Sequence, residues 1–271
     1  MSFYISLSGL KGAQSDLATI SNNVANVSST AFKKSRANFG DIFVGAANGT
    51  GQGVRLLGSQ QQFTQGTLET TDKTLDLAIT GEGFFTVRTP DGATSYTRNG
   101  AFSMDENRYV LDTTGSRLQV LPTAPDGNGA PTSTDPAALT DLVVPTTKPG
   151  DATVELSSIG IGETGVVTAT YADGTTQKLG VVAMAAFASQ EGLRQIGDAH
   201  WTATGNSGEA RYAAGKTGTL GAIRSGTLER SNVEVTEELV ALISAQRNFQ
   251  ANAKAIEAAS TLTQTITNLR T

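Results

Sequence analysis

The sequence has no cysteine and one histidine, His200, among its 271 residues. Without cysteine there are no disulfides, thiolate metal sites or cysteine nucleophiles. With one histidine there is no multi-histidine metal site within the chain. Aromatic residues make up only 6% of the sequence. No stretch approaches the roughly eighteen consecutive apolar residues of a membrane helix, so no membrane insertion is expected. The N-terminus lacks both a basic start and an apolar run of signal-peptide length, so export by a cleaved signal is not expected either. Basic clusters are equally scarce: the longest is Lys33-Lys34, and the formal net charge is -5 with a sequence pI ≈ 5.0. A phosphate backbone is neutralised by clustered Lys and Arg, so nucleic acid is not an expected partner.

What is present is a regular pattern at each end. Leu242, Phe249 and Ile256 recur every seven residues, with Leu239 and Ala253 three positions before the first and last. Leu262, Ile266 and Leu269 continue the three-four spacing after a change of phase. No Gly or Pro interrupts this segment, so the spacing predicts a helix of roughly 35 residues, about 50 Å long. At the other end, Phe3, Leu10, Leu17 and Val24 stand seven apart, and Ala13, Ile20 and Val27 follow the last three of them by three. That is a heptad seam over nearly four repeats. Gly9 and Gly12 each cost about 1 kcal/mol in a helix interior. The N-terminal helix is therefore marginal alone, and pairing of the two terminal helices is the simplest expectation.

Between the ends the pattern is that of strands. From Val54 to Phe85 apolar residues alternate and Gly breaks the runs. Val154–Ile161, Gly165–Tyr171 and Gln177–Ala186 follow the same rule, and Asn-Gly and Asp-Gly pairs mark hairpins. Residues 122–151 hold six of the seven prolines. This stretch reads as a linker, a surface loop or a domain-insertion point, and is not expected in a core. The expected fold is α+β: terminal amphipathic helices paired as a coiled coil, with a mainly antiparallel β domain between them. The expected domains are a terminal-helix domain (1–32 with 232–271), a connecting segment (33–75) and a β-rich outer domain (76–231).

Motifs that could carry chemistry are weak. Gly160-Ile161-Gly162-Glu163-Thr164-Gly165 spells a dinucleotide fingerprint, but the β-branched run that follows is a strand and not the helix a pyrophosphate needs. Gly215-Lys216-Thr217 resembles the end of a P-loop, yet its first required glycine falls on Ala210. Asp126-Gly127-Asn128-Gly129 is half a calcium loop without the downstream acid. His200 lies near Asp198, and no nucleophile elbow accompanies it. No catalytic, metal or cofactor site is assigned, no cofactor is expected, and the chain is not read as an enzyme.

Three stretches carry a family resemblance. The first is Ser21-Asn22-Asn23-Val24-Ala25-Asn26 running on to Phe32-Lys33. The second is Gly81-Glu82-Gly83-Phe84-Phe85 followed by Arg98-Asn99-Gly100-Ala101-Phe102. The third is Leu228-Glu229-Arg230-Ser231-Asn232-Val233 with the later Gln246-Arg247-Asn248-Phe249-Gln250-Ala251-Asn252-Ala253-Lys254. Together they resemble the signatures of the bacterial flagellar rod and hook proteins, over about residues 1–119 and 155–271. The chain departs from the pattern at Ser29, where Thr is usual, and at Ala31, where Gly is usual. A positive φ at position 31 would strain alanine.

The resemblance implies a structural subunit that polymerises into the flagellar axial tube, its terminal helices lining the export channel. It implies as partners the chain itself, the rod, hook-cap and hook–filament junction proteins, and the flagellar type III export apparatus. The implied location is the extracellular hook or basal body, reached without a cleaved signal peptide. Within the family, Gln246–Lys254, the closing Leu262–Arg270 run, Tyr171-Ala172-Asp173-Gly174 and the short Gly45–Gly53 span favour the hook. The distal rod, whose pattern has an extra insertion after its N-terminal helix, is the alternative. The chain's length stands against the hook, which usually adds outer β domains. A secreted oligomeric adhesin or scaffold is the alternative of a different class. The expected assembly contacts are the seam residues Phe3, Leu10, Leu17, Ile20, Val24, Leu239, Leu242, Phe249, Ile256, Leu262, Ile266 and Leu269.

Overall fold

The computed structural model describes residues 2–42, 52–123 and 130–268. The chain divides into two compact units. One comprises Met1–Ser28, Lys33–Phe63 and Val233–Thr271; the other comprises Ser29–Phe32 and Thr64–Asn232. The expected connecting segment 33–75 is thus split, its first part belonging with the helices and its second with the strands.

The helical unit holds α1 (Ser2–Ala25), α2 (Val235–Asn268) and the hairpin of β1 (Ser35–Asp41) with β2 (Val54–Gln61). α1 ends at Ala25, one residue before Asn26, whose side chain bonds locally to the helix backbone. The Asn26 amide donates to the Asn22 carbonyl at 2.9 Å. α2 packs along α1, and β1 and β2 also lie on α1.

The β unit is built on one long antiparallel path. Its order runs Thr147–Lys148, Asp151–Ile161, Val166–Tyr171, Thr176–Val182, Arg117–Leu121, Phe84–Arg88, Thr94–Thr97, His200–Thr202 and Arg194–Gly197. Residues 84–87 are buried on both faces of the strand, Thr86 among them. Alternation sends Phe85 and Val87 into the main core with Leu77, Ile79, Leu118 and Ile223. Phe84 turns the other way, edge-on to Trp201 at 5.6 Å and to Phe187 at 5.8 Å. The expectation that residues 122–151 stay out of the core is overturned in part. Leu142 and Val144 are buried, because Leu142-Val143-Val144 is a short alternating run whose backbone bonds to Val110, Leu118 and Arg108. Gln190–Gly192 forms a short 3-10 turn.

Among the described residues of this unit are two buried pairs of ionisable groups. Arg98 and Glu229 face each other at 3.5 Å, both almost fully buried. The Arg98 guanidinium also lies over the Phe84 ring, 5.3 Å from its centre. Burial draws the Arg98 pKa below its ordinary value, against the opposing pull of the Glu229 carboxylate. His200 Nε2 meets Asp112 Oδ2 at 2.7 Å, and its Nδ1 meets the Asp198 carbonyl at 2.9 Å. Burial opposes charge on both partners of this second pair. The hydrogen bonds outweigh it, raising the His200 pKa and holding Asp112 below the usual carboxylate value.

Removing one partner of a buried ion pair strands the other, which costs about 3 kcal/mol or more. Arg98→Met is therefore expected to destabilise the β unit by that amount in urea denaturation, and Arg98→Lys, which keeps the charge but loses the planar stack, to recover only part. The His200 contribution has a definite sign with pH. A raised folded pKa gives stability that is full below the ordinary histidine value and is lost as pH rises through the folded value. The lowered Asp112 pKa gives stability that is lost as pH falls through its folded value. The stability gap between wild type and His200→Gln should be widest between these limits and should narrow at both extremes, as read from denaturation midpoints over pH.

Candidate assembly surface

The helix pair of the helical unit is held at two places. Near the end of α1, the Asn23 amide donates to the Ser35 carbonyl at 2.9 Å, and its oxygen accepts the Ser35 N–H at 2.9 Å. The same amide reaches the Glu238 carboxylate on α2 at 3.2 Å. The amide supplies a donor and an acceptor from separate atoms to the same backbone unit, which suits Asn to this position. Further along, Gly9 lies against Asn252 so closely that an added Cβ would stand 2.6 Å from its side-chain oxygen. Gly12 gives the matching clearance toward Val54 and Phe39 of the hairpin. The two helix glycines, unfavourable by propensity, are thus explained by close approach.

Gly9 with Asn252 and Asn23 with Glu238 are equally spaced along both helices, so the pair is antiparallel with α2 the longer member. The residues of α2 beyond about Ala259 have no α1 turn opposite them. Of the seam residues, Ile20 is buried, and Leu10, Leu17, Val24, Leu242, Phe249 and Ile256 are half-buried. Leu239 and Leu262 are exposed. The side chains of Phe3 and Ile266, and all of Leu269, lie outside the described residues. Beside Leu239, the exposed Val240 and Ile243 widen that patch; the i, i+1, i+4 spacing of 239, 240 and 243 was the available signal for it.

The remaining signature residues divide between surface and interior. Asn22, Ala25, Gln246 and Arg247 are exposed, whereas Lys33 and Val233 are buried. Gly81 and Gly83 adopt φ of +117° and +118°. A Cβ on Gly100 would stand 1.7 Å from the Leu77 carbonyl, so only glycine fits there. Phe102 meets Phe85 edge-on at 5.6 Å.

Glu229 carries more than its place in the motif suggests. Its Oε1 accepts the Gly66 N–H at 2.8 Å and its carbonyl accepts the Ala31 N–H at 2.8 Å, in addition to the Arg98 pair. Ala31 is fully buried at φ +56°, the left-handed conformation that favours the usual glycine. Phe32 is half-buried, its carbonyl accepting the Asn232 N–H at 3.3 Å, and buried Ser231 precedes Asn232, whose amide reaches Thr64.

The weaker motifs resolve as turns. Gly162–Gly165 closes a hairpin, with the Gly165 N–H donating to the Gly162 carbonyl at 2.8 Å, and a strand follows. Lys216 pairs with Glu163. Asp126-Gly127-Asn128-Gly129 lies outside the described residues. Both ring nitrogens of His200 are engaged by Asp112 and the Asp198 carbonyl, so neither is turned toward a nucleophile. Among the described residues, no helix is long and apolar enough to cross a membrane.

Comparison with known proteins finds three matching family models. Residues 78–169 match the flagellar hook protein FlgE/F/G D1 domain, 224–269 the flagellar basal body rod FlgEFG protein C-terminal model, and 3–33 the flagella basal body rod protein model. The chain is 36% identical over 286 residues to the flagellar basal-body rod protein FlgG of Bacillus subtilis, covering 99% of this chain and 98% of that one. It is 28% identical over 404 residues to the flagellar hook protein FlgE of Escherichia coli, covering all of both chains. Among solved structures, Helicobacter pylori flagellar hook protein FlgE2 is similar over 72% of this chain and 43% of that one, at 13% identity and a TM-score of 0.25.

Asn23→Ala removes two backbone hydrogen bonds and the contact to Glu238, so a loss of about 2 kcal/mol is expected. Asn23→Asp keeps the acceptor but loses the donor and places a second carboxylate beside Glu238. Thermal unfolding should therefore rank wild type above both variants, with Asn23→Asp improving toward wild type as pH falls.

Proposed function

Since the chain belongs to the flagellar hook and rod family of axial structural proteins, we propose that it is a hook subunit, polymerising into the tubular flexible joint between rod and filament. Its terminal helices pair as a coiled coil and line the export channel. Its partners are further copies of itself, the rod, hook-cap and hook–filament junction proteins, and the flagellar type III export apparatus, which passes it without signal cleavage.

The observation that carries the hook assignment is the hairpin after α1. β1 and β2 pair from Ser35↔Gln61 to Asp41↔Val54, and the Ile42 N–H continues the ladder to the Gly53 carbonyl at 3.0 Å. The two strands are connected through residues 43–53, and the shortness of this span supports the hook reading, because the distal rod pattern carries an insertion there. The outward-facing Gln246 and Arg247 belong to the C-terminal pattern of the hook.

A distal rod subunit is the second reading. It is favoured by length, because FlgG relatives at 36% and 33% identity align end to end over 286 positions, whereas the hook relatives need 404 or more. Deleting the gene in its host and imaging isolated basal bodies separates the two. Complete rods without a curved hook are expected; truncated rods would move the assignment to the distal rod, and intact rotating flagella would end both.

A further inference from the structure

The β unit contains two Asp-Gly turns with matching backbones and different side-chain surroundings. Asp91-Gly92 joins Phe84–Arg88 to Thr94–Thr97, and Asp173-Gly174 joins Val166–Tyr171 to Thr176–Val182. In the first turn the Gly92 N–H donates to the Thr89 carbonyl at 2.9 Å, and the Thr89 N–H to the Ala93 carbonyl at 2.8 Å. In the second the Gly174 N–H donates to the Tyr171 carbonyl at 2.9 Å, and the Tyr171 N–H to the Thr175 carbonyl at 3.0 Å. The glycines adopt φ of +84° and +79°, and both aspartates are exposed. Beyond the flanking residues, nothing lies within 4 Å of where a Cβ on either glycine would stand.

The difference begins at the residue after glycine, which is Ala93 in one turn and Thr175 in the other. One Asp173 oxygen accepts the Thr175 hydroxyl at 2.6 Å and the Thr175 N–H at 2.9 Å, and the other pairs with Lys148 at 2.9 Å. The Thr175 hydroxyl and then Lys148 draw the Asp173 pKa down to about 2. Among the described residues, the Asp91 carboxylate takes no hydrogen bond or ion pair. The Thr89 hydroxyl in that turn donates to the Ala93 carbonyl at 3.1 Å.

We propose that Asp91-Gly92 is a site of isoaspartate formation in the folded protein, and that Thr175 and Lys148 protect Asp173-Gly174 from the same reaction. Glycine has no Cβ to hinder its nitrogen. The Gly92 nitrogen attacks the Asp91 side-chain carboxyl carbon and a C–N bond forms. The amide proton and the carboxyl hydroxyl leave together as water, closing a five-membered succinimide. Water then opens the ring at either carbonyl. One opening restores aspartate, and the other leaves the main chain running through the side-chain carbon, with no net change in mass. At Asp173 this reaction meets two obstacles. The carboxylate must give up its hydrogen bonds to reach Gly174, and the acid form from which hydroxyl departs is depleted. Gly92 must also release the Thr89 carbonyl, but Gly174 is bonded to Tyr171 in the same way, so that step does not distinguish the turns. Asn99-Gly100 can close the same ring with loss of ammonia, yet Asn99 is buried and its side-chain oxygen is held by the Ala101 N–H at 3.1 Å. Conversion at Asp91 lengthens its turn by one main-chain atom. The change falls beside Arg88↔Thr94, the last ladder pair of two strands that bury Phe85, Val87 and Tyr96.

The test is to incubate the purified full-length protein at neutral pH for several weeks and digest it with trypsin and a Glu-specific protease. These release the peptides 89–98 and 164–178, in which electron-transfer fragmentation distinguishes isoaspartate from aspartate. Isoaspartate is expected to accumulate roughly tenfold faster in 89–98 than in 164–178, a ratio moderated by the solvent around Asp173. Incubation in urea should bring the two rates together, because the protection comes from the fold. Thr175→Ala should speed conversion at Asp173 several-fold, and Ala93→Thr should slow it at Asp91. Both substitutions lie in exposed turns, so the variants are expected to fold. Equal rates in the native protein, no isoaspartate in 89–98, or a ratio unchanged by urea would overturn the proposal. Rates unmoved by both substitutions would overturn it too, since these remove and install the protecting hydroxyl. None of these outcomes bears on the hook or rod assignment.

Discussion

Much of the long-range connection within the β unit runs through one residue, the buried Glu229. Glu229 would be an expensive charge to bury alone, and the fold gives it a guanidinium, the Gly66 N–H and, through its carbonyl, the Ala31 N–H. These contacts join three stretches far apart in sequence: 29–32, 64–67 and 229–232. The burial of Ala31 at a conformation better suited to glycine is tolerated because that clamp fixes its N–H.

The helical unit is held by different means. Its contacts are few polar anchors and close approaches of small residues, with half-buried apolar side chains between them. Asn23 recognises backbone as a neighbouring strand would, tying helix, hairpin and partner helix through one amide. A unit built this way keeps much of its apolar surface uncovered, in contrast to the β unit, where the large side chains are enclosed.

Much of this was legible in the sequence because it rests on periodicity. The seven-residue repeat of Leu10, Leu17 and Val24 and the unbroken run around Phe249 located both helices, and alternation with Asn-Gly and Asp-Gly turns located the strands. The signature residues could be recognised as a set, but not their individual work. Nothing local distinguishes Asn23, which is buried and bonded, from Asn22, which is exposed, since one helical step decides it. Leu239 fits a heptad yet faces outward, because the face that meets α1 is set by Glu238, Ala241 and Ala245, whose small or polar side chains give no apolar signal. The burial of Leu142 and Val144 was hidden by surrounding prolines, a composition that describes the segment and not its three-residue core.

The division of the chain also sets an order of events during synthesis. The β unit is nearly contiguous, so its contacts can close as soon as residue 232 has emerged. The helical unit joins the first residues to the last, as Gly9 with Asn252 shows, and closure over so long a separation is slow and entropically costly. α1, with two glycines, cannot persist as a helix while it waits. For most of its synthesis, and until its final turn is available, the chain is a folded β body carrying an unsettled N-terminal arm.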